Sequence, residues 1–320
     1  MNPSVVKTEI YSGKNLESAL SENEKAVLKT LAYFDIFHYP LQANEIKNFI
    51  PVPLSEAQIH DTLGDLQLKK LIFSHYEYYS LHDNPLLVPR RVKGNQKADK
   101  LLIKADRIGR FLYHFPFVRG IAVSGSLSKK FAGENSDIDF FIITKADRLW
   151  IARTFMHLFK KLTFLTGHQH LFCMNYYIDE KSLRIKEENI FTAIEIKTLL
   201  PIAGEKTINN FFEENKWIYK WLPEISFCEP PKRGVSREWP KKIIEWILKG
   251  KIGNGLDNLF YEITQRRWRR KAKHEKRNCK GARMSLDTGK HFAKSNPEDF
   301  QEKVLSRYKE KLQALAIGIF

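Results

Sequence analysis

The sequence predicts a mixed α/β (α+β) protein in which a small mixed sheet is flanked by helices. Three observations support this prediction. Short apolar runs alternate with helical periodicity between about residues 117 and 225, which is typical of a sheet domain with covering helices. Amphipathic segments with helix-start signals precede this region from residue 21. A strongly basic stretch with helical character follows it, so we expect a helical C-terminal region.

The N-terminal module begins with clearly marked helices. Ser21 with Glu24, and Ser55 with Gln58, have the spacing of capping boxes. A shorter helical segment lies between these two, and two β-prone pieces follow within residues 69–83. Three helices and a hairpin in this order resemble a winged-helix domain. The third helix carries few of the side chains that read a DNA groove, so docking to a partner is the alternative role.

The central region contains three predicted strands. They have the sequences VRGIAVSG, DIDFFIIT and HLFCMNYYI, and the helical run RLWIARTFMHLFKKLTFL separates the second from the third. A further helix is predicted over residues 97–116, where Pro116 ends it, and more helical segments follow from about residue 187. This order of elements predicts an α/β sheet domain.

The segment VSGSLSKKFAGENSDIDFFIIT, residues 123–144, carries the candidate chemistry. Gly125 permits a tight turn and close backbone approach after the first strand. Ser126 adds a hydroxyl beside the backbone N–H groups that follow, which suits an anion. Asp137 and Asp139 are two residues apart, so the period of a strand puts both carboxylates on one face. Two carboxylates so placed suit Mg²⁺, which keeps phosphate oxygens and water as its other ligands.

These residues resemble the signature of the polymerase-β-like nucleotidyltransferase superfamily, in its minimal bacterial type. The likeness covers roughly residues 117–200. It rests on Gly125-Ser126, a spacing of nine residues, and the run Ser136-Asp137-Ile138-Asp139 before an apolar strand. The resemblance implies transfer of a nucleoside monophosphate from an NTP, usually ATP, with release of pyrophosphate.

Roles for individual residues follow from this resemblance and from their chemistry. The resemblance implies that Asp137 and Asp139 bind Mg²⁺ and are catalytic. We predict that nucleotide binding involves five further positions: Gly125, Ser126, Lys130, Ser136 and Asn175. Many minimal members of the superfamily carry glycine where this chain has Lys130, so this position departs from the pattern.

The superfamily usually places a third carboxylate on the next strand, where it ligates a metal and accepts the proton of the attacking hydroxyl. In this chain the middle of that strand offers Asn175, whose amide can coordinate a metal but cannot take a proton at neutral pH. Asp179 lies four residues further on, roughly 13 Å at the rise of a strand, and is expected to cap the strand end. Glu195 reaches the site only if the fold turns its helix inward. Whether Asp179 or Glu195 substitutes for the missing carboxylate is left open by the sequence.

The net charge of +16 is concentrated near the C-terminus. Residues 230–320 contain 23 Lys and Arg against 10 Asp and Glu, and the densest run is QRRWRRKAKHEKRNCKGAR at 265–283. Basic side chains with an interleaved aromatic suit nucleic acid or another polyanion. A solvated basic helix is the plainer interpretation.

The composition and the cysteine spacing indicate the cellular compartment. No apolar run approaches the roughly 18 residues of a membrane-spanning helix. The three cysteines lie far apart without CxxC spacing, which fits a reducing compartment. We therefore expect a cytoplasmic protein without a membrane partner, while the oligomeric state has no signature in the sequence.

The predicted organisation has four parts: a disordered tail at 1–20, a winged-helix-like module at 21–90, a nucleotidyltransferase domain at 91–225 and a basic helical region at 226–320. The favoured function is Mg²⁺-dependent nucleotidyl transfer from an NTP to a hydroxyl of an unidentified acceptor. The alternative is a non-catalytic regulator that binds a nucleotide or nucleic acid at a degenerate transferase site.

Overall fold

The structure is a computed structural model that describes residues 20–134, 136–163, 173–224, 226–231, 239–273, 284–297 and 300–318. The chain divides into two compact units. One comprises 1–91, 222–225 and 301–320, and the other comprises 92–221 and 226–300. Of the predicted tail at 1–20, all but Leu20 lies outside the described residues. The four-part division remains a prediction.

The first unit contains helices and one hairpin. Its elements are α1 (Glu22–Asp35), α2 (Ala43–Phe49), α3 (Glu56–Leu68), β1 (Phe73–His75), β2 (Tyr78–Ser80) and, from Gln301 on, α11 (Phe300–Ala314). Both predicted capping boxes are confirmed, with Ser21 and Ser55 as the N-caps of α1 and α3. β1 and β2 pair antiparallel. The order of three helices and a hairpin agrees with the sequence, and its assignment to the winged-helix type remains a prediction.

The second unit is built on a sheet. Its helices are α4 (Leu87–Tyr113, in this unit from Val92), α5 (Gly125–Ser128), α6 (Leu149–Thr163), α7 (Ile190–Lys197), α8 (Glu205–Glu214), α9 (Trp239–Ile247) and α10 (Gly250–Lys273). Its strands are β3 (Val118–Ser124), β4 (Asp139–Thr144), β5 (Cys173–Asp179), β6 (Leu200–Ala203), β7 (Met284–Thr288) and β8 (Phe292–Pro297). The predicted mixed sheet flanked by helices is confirmed.

The strand order in the sheet is β6-β3-β4-β5-β8-β7. β4 and β5 are parallel, joined by a crossover through α6, and every other neighbouring pair is antiparallel. Because β3 and β4 run antiparallel with Ser124 opposite Asp139, the end of β3 and the start of β4 meet at one edge of the sheet. β5 also begins at this edge, with Cys173 opposite Asp139. The topology therefore gathers the candidate residues of three strands.

Alternating side chains of β4 cover both faces of the sheet, as the strand period requires. Phe140 and Ile142 are fully buried in a core that also contains Trp150 and Met156 of α6. On the opposite face Phe141 packs against Phe211 of α8, with 4.9 Å between ring centroids. Helices on both faces explain why β4 reads as the continuous apolar run FFII.

The C-terminal part differs from the helical region that the sequence predicts. α9, α10 and α11 are helices, but β7 and β8 add two strands to the sheet, with β8 pairing along Tyr176–Ile178 of β5. These strands form through hydrogen bonds to a segment more than 100 residues earlier in the chain. Pairing of this kind depends on the neighbouring strand more than on local residue preference, so the local pattern did not indicate it.

Candidate active site

Gly125 stands where β3 ends and the backbone turns into α5. Its φ of +70° lies in the left-handed region that favours glycine. A Cβ at this position would come within 2.7 Å of Oδ2 of Asp139. Conformation and close packing therefore both call for glycine, and the Asp139 carboxylate lies directly against the turn.

The two aspartates flank Ile138, which is fully buried, while Asp137 and Asp139 are half-buried. The alternation expected for a strand is present, although β4 begins only at Asp139 and Asp137 precedes it. Both carboxylates also act on Cys173 at the start of β5. Burial and the charge of Asp139 raise the pKa of the Cys173 thiol to about 11, Lys160 opposes this rise, and Asp137 adds to it. The two acidic groups thus lie near the same strand end.

Asn175, at the position where the resemblance implies a third carboxylate, lies beside Asp139. The pairing of β4 with β5 shifts from Phe140↔Met174 to Phe141↔Tyr176, so Asn175 is the extra residue of a β-bulge. Bulges redirect side chains at functional edges of sheets. The Asn175 amide donates a hydrogen bond of 2.6 Å to Oδ1 of Asp139, and its Oδ1 accepts one of 3.1 Å from the Cys173 thiol.

Three other predicted residues have different settings. Ser126 is exposed on α5. The residue before it, Gly125, borders the Asp139 carboxylate. Lys130 is exposed as well, and its φ of +56° is in the region that favours glycine. The Ser136 hydroxyl accepts a hydrogen bond of 2.7 Å from the backbone of Gly133, so Ser136 shapes the loop before Asp137.

Glu195 lies beside the turn, but it is engaged by Lys129. The Lys129 ammonium contacts Oε1 of Glu195 at 2.7 Å and the carbonyl oxygen of Gly125 at 3.1 Å. The Ser128 hydroxyl donates to the same Gly125 carbonyl at 2.9 Å. This contact between α7 and the turn was not predicted from the sequence, because nothing in the local pattern relates residue 129 to residue 195. Its effect is to hold the Gly125 carbonyl oxygen, and with it the turn, in place.

Asp179 is at the other end of the sheet. It pairs with Thr144 at the last residue of β4, about 17 Å along the strand from Asp139. Its buried carboxylate accepts hydrogen bonds of 2.9 Å from the backbone N–H groups of Asp147 and Lys181. These contacts agree with the expectation that Asp179 caps the strand end, and they place it too far away to serve as the third carboxylate.

Asp179 also belongs to a group whose composition suits a metal ion. Ligand atoms of Asp147, Asp179 and His291 lie within 4.8 Å of one another. Protein partners already engage each of the three. His291 Nδ1 lies 2.8 Å from Asp179, and Lys181 contacts Asp147 at 2.6 Å. The three side chains therefore form an ion-pair network, held together by hydrogen bonds and by the Lys181 ammonium.

The residues at the Asp139 edge can hold Mg²⁺ and a phosphate chain. The close packing of Gly125 leaves the Asp139 carboxylate bordering the turn without an intervening side chain. Two carboxylates offer the hard oxygen ligands that Mg²⁺ prefers. The exposed Ser126 hydroxyl and Lys130 ammonium suit phosphate oxygens.

A comparison with protein families matches this part of the chain. Residues 108–246 match the family model for a nucleotidyltransferase domain. No curated protein and no solved structure gives a significant match to the chain. The matched span contains the turn at Gly125, both aspartates and Asn175. Residues 108–246 are therefore similar to nucleotidyltransferase domains, in agreement with the resemblance that the sequence carries.

Proposed function

We propose that the domain transfers a nucleoside monophosphate from an NTP, with ATP expected, to a hydroxyl of an acceptor. One observation carries the proposal: the Asp139 carboxylate borders the Gly125-Ser126 turn so closely that a Cβ at position 125 would come within 2.7 Å of its Oδ2. A carboxylate and a phosphate-binding turn in contact form the arrangement that an NTP with its Mg²⁺ requires. We further propose a cytoplasmic location for this NTP-dependent reaction.

In this proposal Asp137 and Asp139 hold Mg²⁺, which would neutralise phosphate charge and align the attacking and leaving oxygens. Ser126 donates its hydroxyl to a phosphate oxygen, and the Lys130 ammonium attracts the phosphate chain. Lys129 and Glu195 keep the Gly125 carbonyl in place and so orient the turn. Positioning of this kind supplies much of the catalysis of phosphoryl transfer.

Asn175 orients Asp139 without serving as a base. Its amide donates to one carboxylate oxygen, Oδ1, while the other, Oδ2, faces the turn. The hydrogen bond therefore holds Oδ2 towards the phosphate side of the site. An amide has no basic lone pair at neutral pH, so proton removal from the acceptor is not assigned to Asn175.

We propose a polyanion, such as RNA, as the acceptor class. Four exposed arginines near the end of α10 support this: Arg266, Arg267, Arg269 and Arg270. Guanidinium groups bind phosphates in a bidentate manner. Trp268, between them, is buried in the core with Arg153 packed 4.7 Å from its ring centroid, so the helix presents the arginines from a rigid base.

The experiment is a transfer assay with NTPs labelled at the α-phosphate. The full chain is incubated with Mg²⁺, each NTP and, in separate reactions, cellular RNA, protein or metabolite extract. We expect labelled acceptor with the wild type and a loss of at least about a hundredfold with Asp139→Asn, because removing a metal ligand costs several kcal/mol. Asp99→Asn is the matched control, since Asp99 is exposed on α4. Equal labelling by Asp139→Asn and wild type would contradict the proposal.

A second candidate function is favoured by Asn175 itself. With an amide where the superfamily usually has a carboxylate, the site suits binding of a nucleotide without turnover, and the domain would then act as a regulator. Equilibrium binding of Mg²⁺-NTP that depends on Asp139, with no label moving to any extract, would favour this candidate over the enzyme.

A further inference from the structure

Charged residues attach helix α9 to the rest of its unit. The buried Lys241 ammonium donates to the carbonyl oxygens of Tyr113 at 2.9 Å and Val118 at 2.7 Å. Glu245, one turn later, forms a bidentate pair with Arg119 at 2.9 and 2.7 Å and also accepts a hydrogen bond from the backbone of Phe117. The inward face of α9 is therefore polar and held by specific contacts.

The outward face of α9 is apolar. Trp239, Ile243, Trp246 and Ile247 are 65%, 49%, 74% and 56% exposed, and their spacing of four, three and one residues puts them on one side of the helix. A surface helix ordinarily buries its apolar stripe and exposes its charges. α9 does the reverse, and the contacts of Lys241 and Glu245 fix it in that orientation. We call this side, with these four residues, the α9 face.

The exposed charges in and directly after α9 are positive. Lys242 lies within the helix and Lys249 and Lys251 follow it, and all three are exposed; Glu245, the acidic residue within α9, is engaged by Arg119. A second copy of the chain is disfavoured as the occupant, because it would bring two sets of lysines together. The occupant that fits is apolar inside and anionic at its surface.

We propose that the α9 face binds the surface of a membrane that contains anionic lipids. Tryptophan concentrates at the lipid headgroup level, where its ring is apolar and its N–H is polar. Lysine side chains beside an apolar helix face reach the anionic headgroups. An exposed helix with one apolar side lies in such an interface without crossing the bilayer.

This proposal changes the expectation that the protein has no membrane partner. No helix in the described part of the chain has the length and apolar character needed to span a bilayer. Binding at the surface needs neither. The proposal is independent of nucleotidyl transfer, since α9 contains none of the candidate site residues. Its consequence would be to hold the domain at a lipid surface.

Vesicle co-sedimentation tests the proposal with the full chain. The vesicles are phosphatidylcholine alone, or equal parts of phosphatidylcholine and phosphatidylglycerol. We expect binding to the anionic vesicles, a blue shift of tryptophan emission on binding, and weaker binding at high salt. Trp246→Gln with Ile247→Gln should weaken binding at least about tenfold, because two apolar side chains no longer leave water.

Two further variants complete the test. Lys249→Gln with Lys251→Gln should weaken binding to anionic vesicles by about fivefold for each lysine and leave the weaker binding to neutral vesicles unchanged. The matched control is Ile103→Gln with Leu162→Gln, two exposed apolar residues on other helices of the unit, which should bind like wild type. The proposal is overturned by absence of binding to anionic vesicles, or by equal binding of the Trp246/Ile247 variant. It is also overturned if that variant instead converts a self-associating chain to a monomer, which would make the α9 face a protein interface.

Discussion

The amide of Asn175 donates a 2.6 Å hydrogen bond to the carboxylate of Asp139, at the β-bulge where β5 adjusts its register to β4. A neutral amide thus lies beside Asp139, where the resemblance to the superfamily leads us to expect a third carboxylate. The bond leaves Oδ2 of Asp139 against the Gly125 turn. Asn175 is neutral and adds no charge to the site, and its hydrogen bond contributes to the direction of the Asp139 carboxylate.

Asn175→Asp should make the site depend on metal. Two carboxylates at this separation repel, so we expect the unfolding free energy in metal-free buffer to fall by about 1 to 3 kcal/mol. Saturating Mg²⁺ should restore more stability to the variant than it adds to wild type. Thermal unfolding with and without Mg²⁺ measures this. The control, Asn175→Leu, removes the amide without adding charge and should gain nothing extra from Mg²⁺. An Asn175→Asp protein indifferent to Mg²⁺ would argue against a metal at Asp139.

Gly125→Ala should impair nucleotide binding in addition to lowering stability. A left-handed φ costs an L-residue roughly 1 to 2 kcal/mol, and the new Cβ would displace the Asp139 carboxylate. We expect affinity for Mg²⁺-NTP to fall by at least about tenfold, equivalent to the roughly 1.4 kcal/mol of one displaced ligand contact. Isothermal titration checks it. Gly255→Ala on α10, where a Cβ meets nothing within 4 Å, is the control and should bind normally. Unchanged affinity in Gly125→Ala would mean that the turn does not hold the nucleotide.

Lys130→Gly separates charge from backbone strain. Glycine suits the φ of +56° at this position, so the variant should fold with a melting temperature at or above that of wild type. Loss of the ammonium should raise KM for the NTP several-fold and leave kcat nearly unchanged. Lys70→Gly is a matched control, because Lys70 is exposed with the same φ of +56° in the other unit. The role assigned to Lys130 fails if both variants have the KM of wild type.

Asp179→Asn should destabilise the protein without affecting the nucleotide site. Asp179 is buried and pairs with His291, so neutralising it should lower the unfolding free energy by about 2 kcal/mol or more. Because Asp179 is at the far end of the sheet, affinity for Mg²⁺-NTP should stay within twofold of the wild-type value, well under the roughly 1.4 kcal/mol of a tenfold change. Chemical denaturation and titration measure the two effects. A loss of Mg²⁺-NTP affinity like that of Asp139→Asn would instead connect the Asp147, Asp179 and His291 group to the nucleotide site.

The pKa of Asp257 leads to a prediction of how the unfolding free energy changes with pH. Its Oδ1 accepts hydrogen bonds from the backbone of Trp150 and Ile151 at the start of α6, and burial raises its pKa from 3.8 to about 6. The folded protein therefore holds this proton at higher pH than the unfolded chain, so the contribution of Asp257 to stability falls as pH rises from 3.8 to about 6. Above that window the charged Asp257 carboxylate lowers the unfolding free energy by about 1 to 3 kcal/mol.

Asp257→Asn keeps the acceptor oxygen and removes the titration. Relative to wild type, the variant should gain stability progressively as pH rises through this window and hold a constant advantage above it. Unfolding free energies of both proteins from pH 3.5 to 8, values chosen to bracket the two pKa values, give the difference directly. Parallel curves would mean that Asp257 does not titrate there.

Much of the candidate site could be assembled from the sequence, because its residues are local. Gly125, Ser126, Asp137 and Asp139 lie within fifteen residues, and turn chemistry with strand alternation relates them without any long-range contact. Asn175 was also predicted, since it lies in the middle of the next apolar strand. The capping boxes at Ser21 and Ser55 followed from spacing alone.

The sequence by itself determined the helices, the central strands and the candidate chemistry, because amphipathic period, capping and turn residues act over a few positions. Only the tertiary structure decided how distant residues meet. In the folded protein Glu195 pairs with Lys129, Asp179 lies at the far end of the sheet, and β7 and β8 extend the sheet beside β5. The apolar side of α9 faces outward, while Lys241 and Glu245 on its other side contact partners from distant parts of the chain. Long-range hydrogen bonds and ion pairs leave no local pattern from which such contacts could be predicted.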